Sequence, residues 1–154
     1  MQSSVDVLAQ FVGKVRTQSA EVVGNNAGRI ALGMSLRWKV SSPEEAVVCL
    51  KRWNEHLDLL PGDTDVVFQR NRPVDRQIGG ETLRINRMEQ WTLVTFSVLT
   101  TASEREVSRQ YCVQLTTDVN TAQNRTAPLP SDAIPAILDQ FQTLTREIIE
   151  RARI

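Results

Sequence analysis

Apolar residues recur along this chain with two periods, and the changes of period mark its elements. From 4 to 23, Val5, Leu8, Val12, Val15 and Val22 fall at helical spacing, with Asp6, Lys14, Arg16 and Glu21 between them. Gly13 and the several valines lower intrinsic propensity, so this helix needs a surface to pack on. Gly24-Asn25-Asn26-Ala27-Gly28 then supplies turn chemistry. The period drops to two from Ile30 to Val40. Ile30, Leu32, Met34, Leu36, Trp38 and Val40 alternate with Ala31, Gly33, Ser35, Arg37 and Lys39, which predicts a strand with one buried face.

Helical spacing returns at Ser42-Pro43-Glu44-Glu45. Ser42 suits the cap, Pro43 the first helical position, and Glu45 the return arm of a capping box. Ala46, Val47, Leu50, Trp53, Leu57 and Leu60 make the apolar stripe, and Pro61-Gly62 ends the helix. Short strands follow. Val66 and Phe68 sit in one, Asn71-Arg72-Pro73 interrupts it, and Ile78-Gly79-Gly80-Glu81 predicts a hairpin turn leading to Leu83 and Ile85. A separate strand is expected from Trp91 to Thr101, with Leu93 and Leu99 on one side and Val94, Phe96 and Val98 on the other. Ala102-Ser103-Glu104-Arg105 turns the chain into a strand carrying Val107, Tyr111, Val113, Leu115 and Val119.

After a polar loop from Asn120 to Pro130, a final helix starts at Ser131 or Asp132. Its stripe is Ile134, Ile137, Leu138, Phe141, Leu144, Ile148 and Ala152, with Arg146, Arg151 and Arg153 toward the end that favours cations. The order α-β-α-β-β-β-β-α predicts the α+β class: an antiparallel sheet of about five strands, an N-terminal helix, a helix after the first strand and a long C-terminal helix. The whole of residues 1–154 reads as a single domain, long enough to fold on apolar burial. In outline, a run of strands followed by a long C-terminal helix resembles the SecB-type export chaperones. The likeness is one of element order, carried by no motif residue, and no function is taken from it.

Charge changes the picture little. Eighteen basic and eighteen acidic residues cancel, without the cationic excess that drives general nucleic-acid binding. The basic set is fifteen Arg to three Lys, a bias that suits fixed ion pairs or oxyanion contacts, and equally a GC-rich coding sequence. Cys49 and Cys112 match no metal or redox spacing and fit a reducing compartment. With no signal-like start and no apolar run of membrane length, the expected address is the cytoplasm, with no membrane partner.

Candidate chemistry is sparse. His56 is the single histidine, flanked by Glu55 and Asp58, and no metal-ligand set, phosphate loop or nucleophile elbow is present. No cofactor is expected. Cys112 lies on the polar side of its strand without an adjacent base. Trp38, Trp53 and Trp91 stand in register with apolar neighbours and are expected in the core. The one unusual segment is the ribbon holding Arg70, Arg72, Arg76, Arg84 and Arg87 against Asp75 and Glu81. If the hairpin brings Arg76 and Arg84 together, the guanidinium groups could hold a phosphate, a carboxylate or an acidic partner. Alternatively they pair with local acids on a solvated ribbon.

Three functions stay open. The favoured one is a non-enzymatic interaction module that self-associates, because the Trp91–Thr101 strand is apolar on both sides. The second is a binder of an anionic ligand, or less readily a nucleic acid, through the ribbon. The third is a small enzyme built on carboxylates, of which nothing in the pattern selects a pair.

Overall fold

The computed structural model describes residues 4–22, 27–53, 55–99, 106–122 and 127–152, with backbone alone for 19–22, 98–99 and 106–107. The turns expected at 24–26 and 102–105 and the roles expected of Val22, Val98, Val107, Leu99, Thr100, Thr101 and Arg153 lie outside the described residues or side chains. The elements are α1 (Ser4–Val22), β1 (Ala31–Val40), α2 (Pro43–Trp53), β2 (Val67–Asn71), β3 (Val74–Ile78), β4 (Glu81–Leu99), β5 (Glu106–Thr121) and α3 (Ile134–Arg151), the last preceded by a 3-10 turn, Ser131–Ala133. Among the described residues the expected α+β class is observed: three helices with a five-stranded antiparallel sheet, ordered β1-β5-β4-β2, and β3 also paired with β4.

β2 and β3 are two pieces of one edge. Val66 O accepts from Leu93 N–H, Arg72 N–H donates to Arg87 O, and Val74 stands opposite Ile85. All three contacts keep the same antiparallel register, so only Arg72-Pro73 interrupts the ladder. Because Arg72 turns its N–H inward, Pro73 turns its nitrogen toward the free edge, where no donor is required. The hairpin closes as expected at Gly79 and Gly80, with φ of +60° and +82°. Positive φ at both central residues is the backbone of a tight two-residue turn, and glycine adopts it without steric cost.

The described residues gather into two compact units. The first takes those within Met1–Met34, Asn71–Glu89 and Thr117–Arg153; the second takes those within Ser35–Arg70 and Gln90–Thr116. In the first unit, α1 packs on α3 through a stripe that includes Leu8 and Val12, the surface its weak propensity called for. α3 buries Ile137, Phe141, Leu144 and Ile148 with Leu83, Ile85 and Val119 of the strands. In the second unit, α2 buries Ala46, Val47, Cys49 and Leu50, and Trp91, Leu93, Val113 and Leu115 join the same core. The three tryptophans cluster there, with Trp53 stacked 4.0 Å from Trp91 and Trp38 within 6 Å of both.

Two boundaries differ from the pattern. α2 ends at Trp53 and does not continue to Leu60. Leu60 N–H donates to Asp63 Oδ2 at 2.8 Å, and Asp63 N–H donates back to Leu60 O at 3.1 Å. That local turn satisfies backbone groups that a longer helix would need, and leaves Leu60 64% exposed. Conversely, β4 does not pause after Ile85 but runs through Asn86–Gln90 as one 19-residue strand.

Candidate functional site

Register decides what becomes of the arginine ribbon. β3 and β4 pair so that Arg76 faces Leu83 and Asp75 faces Arg84. Cross-strand partners share a face, so even positions of β3 lie with odd positions of β4. Arg76 and Arg84 therefore point to opposite faces. Arg84 meets Asp75 at 3.7 Å on an exposed surface, while Arg76 donates through Nε to Gln140 Oε1 of α3 at 3.2 Å. Arg70 is half-buried on β2, and Arg72 is exposed at the interruption. Arg87, an odd position of β4, joins Arg76 on the face that α3 covers. Arg76 and Arg87 thus share one face of β3 and β4, and Arg84 takes the other.

Arg87 instead belongs to a charged cluster with Glu89, Glu147 and Arg151. Its side chain is 11% exposed and lies 3.3 Å from Glu147 of α3. Two residues on, Glu89 is 2% exposed and accepts from Arg151 of the same helix at 2.8 Å. Burial pushes the Arg87 guanidinium pKa down, and Glu147 opposes the shift. Arg87 Nε is buried without a hydrogen-bond partner, so the contact with Glu147 leaves part of the fork unsatisfied. An open depression beside the pairs is lined by Arg87, Glu147, Glu150 and Arg151. Its charges alternate and cancel, which favours internal pairing over capture of a free anion.

The signal for this cluster is present in the chain. Arg87 and Glu89 are opposite charges at i and i+2 on the face of β4 otherwise made by Leu83, Ile85, Trp91 and Leu93. Glu147 and Arg151 are opposite charges at i and i+4 beside the apolar stripe of α3. Four helical residues rise about 6 Å and two strand residues about 6.6 Å, so the two spacings match.

The remaining candidates are quiet. Cys49 and Cys112 are free and buried, and burial raises the Cys49 thiol pKa, the opposite of what a nucleophile needs. His56 sits with Glu55 at 3.9 Å, both 87% exposed. Among the described residues no three His, Cys, Asp or Glu side chains gather as metal ligands, and no helix is long and apolar enough to cross a membrane.

In the second unit, the sheet face opposite Trp91 and Leu93 carries a mixed surface. Arg37 donates to Gln114 at 2.6 Å and stands 5.2 Å over the Phe96 ring, and Ser35 pairs with Thr116 at 3.2 Å. Beside this polar ladder, Phe96 is 38% exposed, and Val67, opposite Thr92 by the register of β2, is 58% exposed. Val94 is half-buried on the same face. No family model matches the chain, and no curated protein matches it.

Proposed function

We propose that this chain is a non-enzymatic interaction module that assembles with a second copy of itself through the Val67–Val94–Phe96 face of its second unit. The observation that supports the reading is Val67 and Phe96 presented to solvent on a sheet surface, beside a polar ladder that Arg37 and Gln114 have already paired. A patch of apolar atoms with a satisfied polar border is the anatomy of an interface. Two-fold symmetry, the commonest closed arrangement, sets this patch against its own copy. The two free thiols fit a reducing compartment, and the cytoplasm is the address that goes with this reading.

Sedimentation equilibrium at micromolar concentration tests it. The expected mass is twice 17.3 kDa, falling to one chain with Phe96→Glu. Val48→Glu, at a 52% exposed position of α2, leaves the dimer intact. A parent protein that sediments only as the 17.3 kDa monomer overturns the proposal.

A further inference from the structure

The apolar stripe of α3 says which side of the helix is buried but only weakly where along its axis the helix rests. Ile137, Phe141, Leu144 and Ile148 recur about once per turn. A slide of one turn would set one bulky apolar side chain in the place of another. The charged residues behave differently. We infer that the paired contacts Arg87–Glu147 and Glu89–Arg151 form a register lock that holds α3 at one axial position on β4.

A slide of one turn in one direction carries Glu147 to the place of Arg151, against Glu89. A slide in the other direction carries Arg151 to the place of Glu147, against Arg87. Either displacement opposes like charges with one member of each pair withdrawn from water, Glu89 at 2% and Arg87 at 11% exposed, while Glu147 and Arg151 keep 47% and 44% exposure. Buried polar groups that specify register in this way are the best attested use of such pairs. The lock also accounts for the continuity of β4: the charged positions that interrupt its apolar alternation are met by a helix with the complementary spacing.

Spin labels at the exposed positions Thr82 and Thr143, in the full chain with Cys49→Ala and Cys112→Ala, report the axial position of α3 as a distance. Exchanging the strand charges alone (Arg87→Glu with Glu89→Arg) opposes like charges in the native register and favours a one-turn slide. The expected result is a displacement of about 5 Å, one helical pitch. Adding Glu147→Arg with Arg151→Glu restores the parent distance. An unchanged distance in the strand-only exchange, or no recovery in the full exchange, overturns the lock. Should the strand-only exchange fail to fold, replacing all four residues by Met removes every charge while keeping bulk. Two distances are then expected, and a single native distance overturns the inference.

Discussion

Glu89 and Trp91 stand two residues apart on the covered face of β4, one in each unit, and they are 2% and 3% exposed. Equal burial rests on opposite physics. Trp91 is held by area and by stacking on Trp53, so many contacts share its stabilisation. Glu89 gains nothing from leaving water and is met by the Arg151 guanidinium 2.8 Å away. The aromatic core of the second unit should therefore lose stability in proportion to what is cut away. The charged cluster of the first should respond to whether partners are removed singly or together.

The largest expected effect is in the aromatic cluster. Trp91→Ala should cost about 4 kcal/mol in denaturant melts, the range for a large aromatic removed from a core. Trp53→Ala should cost less, about 2 kcal/mol, because Trp53 is half-buried at the end of α2. Equal losses at both positions would mean that stacking, not burial, governs the cluster. Next comes the charged pair. Arg151→Met should cost about 3 kcal/mol by leaving Glu89 buried without that partner. Combining it with Glu89→Met should recover most of the loss, since an apolar pair of similar volume needs no counter-charge. A double variant as unstable as the single would remove the contrast between the two cores.

The smallest effect belongs to the cap of α2, outside both cores. Hydrogen bonds from Ser41 hold the Glu45 carboxyl below its ordinary value of 4.5, and Ser42 does the same for Glu44. A carboxylate depressed in the folded state contributes stability above its unfolded value, and loses it as pH falls through the folded one. Amide exchange in the first turn of α2 should therefore quicken as pH is lowered below about 4.5 relative to the rest of the helix. Glu45→Gln should flatten that dependence.

The cap shows how far local chemistry reaches. Ser42 Oγ accepts from Glu45 N–H at 3.3 Å as the motif predicts, but the Glu45 carboxylate returns to Ser41, one residue earlier than the capping box places it. Fold class was legible because period and turn residues act over a few positions: alternation in β1, the stripe of α3, Gly79-Gly80. The end of α2 was not, because Leu57 and Leu60 continue the helical spacing while Asp63 offers the backbone a competing turn.

The arginine ribbon marks the same limit from the other side. The chain by itself determined that Arg70, Arg72, Arg76, Arg84 and Arg87 are gathered on one hairpin, and that the hairpin turns at two glycines. Only the tertiary structure decided which of them share a face. The pairing of Arg76 with Leu83 joins even positions to odd ones, so Arg84 leaves the group and Arg87 enters the surface that α3 covers. It also decided that Arg87 and Glu89 belong inside, where the alternation of β4 would place apolar side chains. Their partners, Glu147 and Arg151, lie about sixty residues away in the chain. Period is a property of neighbouring residues, whereas the counter-charge that makes a buried ion tolerable must be brought in by packing.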